Sequence, residues 1–337
     1  MTKKKPYTPP YEITSCIVDL IEKIGECLGR ITPVGSPTAP RLRRETHLRS
    51  VQASLNIEGN TLSLEQVTAV LAGKKVLGTP HEIQEVRNAF AAYELLETLD
   101  HANRKDLCRA HAVMMQGLVD APGAFRQGSV GIKRGGDVVH IAPPAANVPF
   151  LLADLLKWLR ETDSHPLIAS SVFHYEFEFI HPFSDGNGRL GRLWQTLILS
   201  QWKPIFLMIP IESVIRDRQD DYYRALRRGD ATGNSTPFIE YLLSAILASC
   251  QQLTGEVAGE VTGEVEKLLL ILQGPMTRTE MQAKLQLRSQ ANFRDRYLRP
   301  ALTAGLIEMT IPDKPKSSRQ KYRLTAKGKM YLSAGND

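Results

Sequence analysis

One short run of the chain combines residue types that could carry phosphate chemistry. Residues 181–192 read His-Pro-Phe-Ser-Asp-Gly-Asn-Gly-Arg-Leu-Gly-Arg, between two segments with the apolar spacing of helices. Pro182 cannot continue the first helix, so the chain must leave it there. Gly186 and Gly188 permit a turn whose backbone N–H groups converge before the second helix, and such a nest beside a helix N-terminus binds anions. The run therefore predicts a phosphate-binding loop.

Charged side chains of the same run suit a polyphosphate with a metal ion. Arg189 and Arg192 stand three residues apart, so both are expected on one helix face, and a guanidinium can grip phosphate oxygens in pairs. Asp185 offers the hard oxygen ligand that Mg²⁺ accepts beside substrate phosphates. His181 carries the one side chain of the run that ordinarily titrates near neutral pH, which makes it the candidate general base. Singly, each feature is more often a helix end, a plain loop or a solvated face, and only their conjunction favours chemistry.

The run matches a family motif at every specified position. The motif is His-Pro-Phe-x-(Asp/Glu)-Gly-Asn-Gly-Arg-x-x-Arg, and through it the chain resembles the Fic family. Residues 101–250 resemble that family's helical core, with a hairpin near residues 129–141 in the place of its substrate-positioning flap. The resemblance implies a protein adenylyltransferase, which moves AMP from ATP to a Ser, Thr or Tyr hydroxyl of a protein and releases pyrophosphate. It also implies ATP as substrate and Mg²⁺ as cofactor.

The resemblance further implies a role for each motif position. His181 would deprotonate the incoming hydroxyl, Phe183 would anchor the loop in the core, and Asp185 would hold Mg²⁺. The β- and γ-phosphates would be bound by Arg189 and Arg192. The nucleotide-binding set is completed by loop residues and by two tyrosines that resemble the family's adenine pocket: Ser184, Gly186, Asn187, Gly188, Tyr222 and Tyr223. The alternative for the tyrosines is that at least one simply packs in the core, since an aromatic body with a polar tip serves both roles.

A second match lies upstream of the core. Ser54 and Glu58 fit the family's inhibitory pattern, (Ser/Thr)-x-x-x-Glu-(Gly/Asn), at the end of a helix expected over about residues 45–58. As ordinary structure, Glu58 is a surface carboxylate before a glycine C-cap. In the family this glutamate forms a salt bridge to the second motif arginine, here Arg192, and occupies the γ-phosphate position. The resemblance thus implies autoinhibition by an N-terminal helix, and leaves open whether the protein also removes AMP.

Apolar periodicity predicts a mainly α body. Helices are expected at Ile13–Leu28, His47–Ile57, Leu64–Leu71, Ile83–Leu99, Val148–Arg160, Leu167–Ile180, Leu190–Trp202 and Pro237–Leu253. Between residues 126 and 141 the pattern changes to short alternation around Arg134-Gly135-Gly136-Asp137, which predicts a β-hairpin with glycines in its turn.

The last part of the chain follows a low-complexity run. A tetrad of the type Thr-Gly-Glu-Val repeats over residues 254–265, and glycine at every fourth position favours a linker over a helix. Beyond it, helices are expected at Lys267–Leu272, Arg278–Leu285 and Gln290–Ala304, and strands at Ile307–Ile311 and Gln320–Leu324. That order predicts a winged helix-turn-helix. The expected domains are an N-terminal helical region, a Fic catalytic core, a linker and a winged-helix domain, at residues 1–100, 101–250, 251–266 and 267–337.

Charge is distributed unevenly over the 337 residues, whose formal net charge is +6. Residues 267–337 carry 14 Lys and Arg against 5 Asp and Glu, whereas the preceding 266 residues carry 28 against 31. Eight of these basic residues lie on the expected third helix and wing: Arg294, Arg296, Arg299, Lys314, Lys316, Arg319, Lys321 and Arg323. A basic module of this kind favours DNA contacts, although winged helices also bind proteins. A DNA-binding regulator is therefore the rival from another class, and a Fic-fold phosphotransferase is the rival within the fold.

Composition and patterning restrict the compartment and the partners. The four cysteines are scattered without metal-site or disulfide spacing, which favours a reducing compartment. The N-terminus lacks the apolar run of a secretion signal, and no stretch approaches the roughly 20 apolar residues that span a bilayer. We expect a cytoplasmic protein without a membrane partner. The expected partners are a protein that carries the target hydroxyl, with the chain itself as one candidate, and candidate contacts with DNA and with a second copy in a homodimer.

Overall fold

The structure is a computed structural model that describes residues 7–31, 40–129, 131–134, 137–259, 263–287, 289–303, 305–311, 317 and 319–334. The chain divides into two compact units, residues 1–251 and 252–337. Helices dominate both units, which confirms the expected mainly α fold. The expected N-terminal region and the expected core fall within the first unit. None of the helices in the described part of the chain combines the length and apolar character needed to cross a bilayer.

The first unit contains every helix that periodicity predicts, and of these only Leu64–Leu71 has both ends as expected. Its helices are α1 (Ser15–Ile31), α2 (Pro40–Ile57), α3 (Leu64–Leu71), α4 (Pro80–Glu94), α5 (Arg104–Met114), α6 (Val148–Glu161), α7 (Pro166–Ile180), α8 (Asn187–Trp202), α9 (Ile211–Asp217), α10 (Gln219–Thr232) and α11 (Thr236–Gly259). Helices α5, α9 and α10 were not predicted. α10 is strongly polar and α9 is short, so neither shows a sustained apolar stripe.

Two adjacent helices, α7 and α8, form the centre of the first unit. Nearly every residue of α7 is buried, as expected of a helix that is apolar on all sides. Helix α7 ends at Ile180, and its C-cap is His181, whose backbone lies in the left-handed region with φ 48°. Helix α8 begins after Gly186, with φ 81°. The motif loop is the short connection between these helices, so the packing of α7 on α8 fixes its position.

Helix α2 brings the upstream motif to the same region, since it packs against α4, α8 and α9. It begins at Pro40, earlier than expected, and ends at Ile57. Gly59, with φ 96°, then turns the chain, and the N–H of Asn60 donates to the carbonyl of Leu55 at 3.1 Å. This glycine cap places Glu58 immediately after the last helical residue.

The expected hairpin is present between α5 and α6. Strand β1 (Gly131–Arg134) pairs antiparallel with β2 (Asp137–Ile141), in a register that matches Arg134 with Asp137. The register shifts between Ile132 and Lys133, which marks a bulge. The turn glycines, Gly135 and Gly136, lie outside the described residues, as does Val130.

The second unit has the expected order of helices and strands around its own apolar core. Its elements are α12 (Gly263–Ile271), α13 (Arg278–Lys284), α14 (Gln290–Asn292), a π-helical turn (Phe293–Leu298), α15 (Arg299–Thr303), β3 (Ile307–Met309), β4 (Tyr322–Leu324) and α16 (Ala326–Ala334). β3 and β4 are antiparallel, and Met276 forms a further bridge to Tyr322. α16 was not predicted. The wing residues Lys314 and Lys316 lie outside the described residues.

The segment expected to be an irregular linker, residues 251–266, is helical wherever it is described. α11 continues to Gly259 and α12 starts at Gly263, while residues 260–262 lie outside the described part. Each glycine costs about 1 kcal/mol relative to alanine in a helix, and extending an existing helix escapes the cost of a new nucleus. Helix α11 therefore propagates further than glycine propensity alone predicts. The domain boundary itself stays a prediction.

Candidate active site

The motif loop is braced from within by Asn187, the first residue of α8. Its side-chain oxygen accepts from the backbone N–H of Phe183 at 2.9 Å, and its side-chain N–H donates to the carbonyl of Phe183 at 2.9 Å. Both ends of the buried amide are thus used inside the loop. The expected cradle is therefore offered by backbone N–H groups at the start of α8, and the Asn187 side chain shapes the loop that carries them.

Phe183 anchors the loop through an aromatic partner that the sequence analysis missed. The ring of Phe183 is fully buried and stacks on His111 of α5, with centroids 3.7 Å apart and planes 7° from parallel. The N–H of Gly123 donates to Nδ1 of His111 at 2.8 Å, so Nε2 carries the proton and donates to the carbonyl of Asp185 at 2.9 Å. Burial lowers the pKa of His111 to about 4. A neutral histidine therefore supports both Phe183 and Asp185.

The second motif arginine and the upstream glutamate meet in the structure. Nη2 of Arg192 lies 2.7 Å from Oε1 of Glu58, and the side chains of Arg192 and Glu58 are 1% and 31% exposed. Nε of Arg192 donates to Oγ of Ser54 at 3.0 Å, and Nη2 donates to the Ser54 carbonyl at 3.0 Å. Burial opposes the charge of Arg192, but the adjacent Glu58 carboxylate raises the pKa of the guanidinium above its usual value.

Glu58 also lies directly on the anion loop. A Cβ added at Gly188 would collide with Oε1 of Glu58 and would lie 3.1 Å from Nη1 of Arg192. The missing side chain at Gly188 thus leaves the space that the carboxylate occupies. An acidic group already fills part of the region in front of the α8 N-terminus, where the sequence predicts a phosphate.

The first motif arginine is paired with a carboxylate that no sequence signal indicated. Nη1 of Arg189 lies 2.6 Å from Oε1 of Glu85 on α4, and Nη2 lies 3.1 Å from Oδ1 of Asp185. The Asn60 side chain donates to Oε2 of Glu85 at 2.9 Å. Arg189 and Arg192 therefore diverge: Arg189 turns to α4 and does not line the cavity that Arg192 lines. Long side chains three positions apart on a helix have enough reach to separate in this way.

One cavity is lined by six of the predicted site residues. Its lining is Glu58, Glu178, Phe179, His181, Gly188, Arg192, Tyr222, Tyr223, Leu226, Arg227 and Asp230. The two predicted tyrosines differ in exposure. Tyr222 is almost fully buried, with its hydroxyl 3.1 Å from Nε2 of His174, whereas Tyr223 is half-buried at the cavity wall. The core interpretation thus fits Tyr222, and the pocket interpretation fits Tyr223 better.

The buried carboxylate of Glu178 lies close to His181. Oε2 of Glu178 is 4.0 Å from Nδ1 of His181, and Oε1 is 3.9 Å from Nε2 of His174. Burial lowers the pKa of His174 to about 3, so that ring is neutral. The Nδ1 edge of His181 thus faces the carboxylate of Glu178, a residue on the last turn of α7 that the sequence analysis did not single out.

Asp185 remains at the edge of the site with its side chain 57% exposed. Its Oδ1 accepts from the N–H of Gly186 at 2.5 Å and faces Arg189, and its second oxygen enters no hydrogen bond within the described residues. No group of three or more candidate metal ligands exists among the described residues. A lone carboxylate of this kind fits Mg²⁺ that is held mainly by substrate phosphates and water.

Two family descriptions match separate parts of the chain. The Fic/DOC family matches residues 101–199, and the description "Filamentation induced by cAMP protein Fic-like, C-terminal domain" matches residues 263–325. The first match contains the whole motif run, residues 181–192, and the second lies within the second compact unit.

The solved structures and curated proteins that are similar to this chain are Fic proteins as well. A crystal structure of a Fic family protein from Desulfovibrio desulfuricans G20 is 52% identical, with a TM-score of 0.71 over 96% of this chain and 99% of that chain. The structure of Fic-1 from C. elegans is 25% identical, with a TM-score of 0.58 over 72% of each chain. The curated protein adenylyltransferase Fic of Culex quinquefasciatus is 30% identical over 216 residues, which are 60% of this chain and 40% of that protein. The protein adenylyltransferase fic-1 of Caenorhabditis briggsae is 31% identical over 230 residues, which are 64% of this chain and 43% of that protein. This chain thus spans less than half the length of these curated relatives.

Proposed function

The chain belongs to the Fic family, and on that premise we propose that it is a protein adenylyltransferase that transfers AMP from ATP to a hydroxyl of a protein. The observation that carries the proposal is the convergence of His181, Gly188 and Arg192 on one cavity. A titratable group, the start of a helix and a buried cation are what nucleotidyl transfer requires. The names of the curated relatives support the same activity.

The reaction follows from the placement of these groups. The imidazole of His181 takes the proton of the target hydroxyl, and the hydroxyl oxygen forms a bond to the α-phosphorus of ATP. The bond from the α-phosphorus to the bridging oxygen breaks, and pyrophosphate leaves. Because Glu178 faces Nδ1 of His181, we assign the proton-accepting role to Nε2. Backbone N–H groups at the α8 N-terminus stabilise the negative charge on the phosphates.

The remaining predicted residues bind and orient the nucleotide. Arg192 binds the γ-phosphate. The half-buried ring of Tyr223 lies against the base, and the buried ring of Tyr222 packs against that of Tyr223. Asp185 and the phosphates would hold Mg²⁺, which would neutralise phosphate charge there. Phe183 and Asn187 fix the loop, and Arg189 holds Asp185 in place through their 3.1 Å contact.

We propose that Glu58 restrains this activity. The carboxylate occupies Arg192, the cation that must accept the γ-phosphate, and one guanidinium edge cannot serve both partners at 2.7 Å. Two like charges so close would repel each other by several kcal/mol in a partly desolvated site. ATP that binds beside Glu58 is therefore misaligned, and transfer requires that Glu58 move away.

Two labelled forms of ATP test the proposed reaction. Glu58→Gly protein is incubated with a cell lysate and ATP that is labelled on the α- or the γ-phosphorus. Incorporation of the α-label into protein with release of pyrophosphate supports adenylylation. Incorporation of the γ-label alone would establish the phosphotransferase alternative. Loss of AMP from modified protein on addition of wild-type protein would establish AMP removal as a second activity.

We infer a contact with DNA for the second unit from three exposed arginines on its third helix, Arg294, Arg296 and Arg299. Two basic residues already have acidic neighbours: Arg323 lies 2.6 Å from Glu308, and Arg296 lies 3.8 Å from Glu264. Arginine contacts with DNA phosphates release bound counterions. Binding to random duplex DNA should for that reason weaken steeply between low and moderate salt. Salt-independent binding of a protein would instead establish the unit as a protein-contact module.

We propose a cytoplasmic location, because the four cysteines are scattered without the spacing of a disulfide framework or a metal site. We propose that the hairpin, β1 and β2, which contacts α10 of the cavity wall, holds the target hydroxyl, on another protein or on a second copy in a homodimer. Mass spectrometry of the α-labelled products identifies that residue.

A further inference from the structure

A buried arginine outside the motif contacts the motif loop. Arg126 lies in the connection between α5 and β1, and only 5% of its surface is exposed. No carboxylate of the described residues forms an ion pair with it, and burial lowers the pKa of its guanidinium. A buried cation without an anionic partner is costly unless its N–H groups are hydrogen-bonded. The partners of Arg126 therefore show why the fold retains it.

The guanidinium donates to carbonyl groups of three separate chain segments. Nε donates to His181 at 2.7 Å, and Nη2 donates to Ile180 at 3.3 Å. Nη1 donates to Gly128 at 2.8 Å, and Nη2 donates to Pro143 at 2.5 Å. The backbone N–H of Arg126 adds a bond to the carbonyl of Pro182 at 3.0 Å.

Two of these segments are the ends of the hairpin. Gly128 precedes β1 and Pro143 follows β2, so the guanidinium joins the two ends of the hairpin stem. The third segment holds His181, whose left-handed backbone costs a non-glycine residue roughly 1–2 kcal/mol and persists only when its surroundings hold it. Arg126 bonds the carbonyls of His181 and of the residue before it. One side chain thus ties the hairpin stem to the strained residue.

We propose that Arg126 is a positioning residue that fixes the hairpin relative to His181, so that a target hydroxyl held by the hairpin meets the base in line with the α-phosphorus. This inference rests on the proposed adenylyltransferase activity. Arg126 does not line the cavity, so it acts on the alignment of the target and leaves the nucleotide contacts intact. A misplacement of about 1 Å in such an alignment can cost on the order of 100-fold in rate.

Lysine cannot replace this residue. A guanidinium offers five N–H groups in a planar fork, whereas an ammonium offers three from one nitrogen. An ammonium that reaches His181 leaves the carbonyls of Gly128 and Pro143 without their donors. The matched control is Arg160 of α6, an exposed arginine of the same unit whose Nη2 donates to the carbonyl of Ala102 at 2.8 Å. Arg160 touches neither the hairpin ends nor the motif loop.

The test compares Arg126→Lys, Arg126→Met and Arg160→Lys, each in Glu58→Gly protein. Incorporation of α-label into lysate protein at saturating ATP should fall at least about 30-fold in both Arg126 variants, with the KM for ATP within about 2-fold. The Arg160→Lys variant should match its parent. Incorporation within about 3-fold of the parent in both Arg126 variants, or a KM for ATP that rises in parallel with the loss, would overturn the proposal.

Amide hydrogen exchange gives a second measurement that does not depend on activity. In Arg126→Lys protein, exchange should accelerate in residues 125–129, 142–144 and 181–183, while α1 and α11 keep their protection. Unchanged exchange at these segments, or uniform acceleration throughout the first unit, would overturn the proposal. If the Glu58→Gly parent transfers no AMP, the proposed function fails, and the exchange measurement still decides whether Arg126 couples the hairpin to His181.

Discussion

The carboxylate of Glu58 lies 2.7 Å from the guanidinium of Arg192, although the two residues are separated by 134 positions in the chain. The pair forms where the capped end of α2 meets the first turns of α8. Arg192 is almost fully buried, and Glu58 is part of the cavity wall. A movement at the end of α2 would therefore change the charge that faces an incoming nucleotide.

Ser54 also accepts hydrogen bonds from Arg192, and removal of its hydroxyl should weaken the inhibition by Glu58. Ser54→Ala deletes the acceptor of the Arg192 Nε–H, which leaves the guanidinium less firmly oriented to Glu58. A hydrogen bond to a charged group contributes about 1.5–3 kcal/mol. The Ser54 carbonyl still accepts from Nη2 of Arg192 in the variant, so only part of this support is lost and basal AMP transfer should rise about 2- to 10-fold. Rates of α-label incorporation measure the change.

The control for this substitution is Ser50→Ala, one helical turn earlier. Ser50 is also buried, but it donates to Glu212 at 2.7 Å and not to the arginine. Equal rates in Ser54→Ala and Ser50→Ala would show that Ser54 plays no part in the restraint.

The pair of Arg189 and Glu85 should matter mainly for stability. Both side chains are nearly buried, at 5% and 10% exposure, so Glu85→Ala leaves a buried cation without its closest partner. Breaking a buried pair in this way costs about 3–5 kcal/mol. Denaturant unfolding should show a loss of that size for Glu85→Ala and a smaller one for Glu85→Gln.

Glu94→Ala, at the exposed end of the same helix α4, should be neutral within about 0.5 kcal/mol. A loss for Glu85→Ala no larger than that of Glu94→Ala would contradict the stabilising role of the Glu85–Arg189 pair.

The burial of His111 predicts a pH dependence of stability. The folded pKa is lowered to about 4, below the ordinary value of 6.5, so the unfolded chain binds the proton first as the pH falls. The stability from this site is complete above pH 6.5 and is lost at up to about 1.4 kcal/mol per pH unit toward pH 4.

His111→Gln removes this titration, so the difference in unfolding free energy between wild type and variant should shrink from pH 6.5 to pH 5. Chemical unfolding at several pH values measures it. Parallel curves for the two proteins would contradict a neutral, buried His111.

Tyr223 of α10 should contribute directly to nucleotide binding. Tyr223 lines the cavity with part of its ring exposed, so Tyr223→Ala should weaken ATP binding about 10-fold in Glu58→Gly protein through lost contact area. Arg224→Ala, the adjacent exposed position, serves as the control, and calorimetric titration with ATP measures both. Equal affinities in the two variants would exclude Tyr223 from the base pocket.

Local patterns predicted most of the helices, the hairpin and the loop, because apolar periodicity and glycine or proline placement are properties of a few neighbouring residues. Helix α10 was not predicted, because its charged residues outnumber the apolar residues that could form a stripe. The repeated tetrad of residues 254–265 was interpreted as a linker because its glycines were weighed without the helix, α11, that continues into them.

The contacts that the sequence could not supply are the long-range ones. Glu85 lies 104 positions before Arg189, and nothing in the local pattern of α4 marks that glutamate as the arginine's partner. His111 and Arg126 are likewise single polar residues whose partners are set by the packing of α5 and the hairpin stem on the motif loop. Tyr222 and Tyr223 are adjacent, and which of them turns inward depends on what packs against α10.

The central claim is that His181 performs AMP transfer and that Glu58 holds it back. The most direct measurement is incorporation of α-label from ATP by wild type, Glu58→Gly, His181→Ala and the double variant. The account predicts a rise of at least about 10-fold for Glu58→Gly, as expected for removal of a charge from the γ-phosphate position, and background levels for both His181→Ala proteins. Equal incorporation by wild type and Glu58→Gly, or transfer that survives His181→Ala, would contradict it.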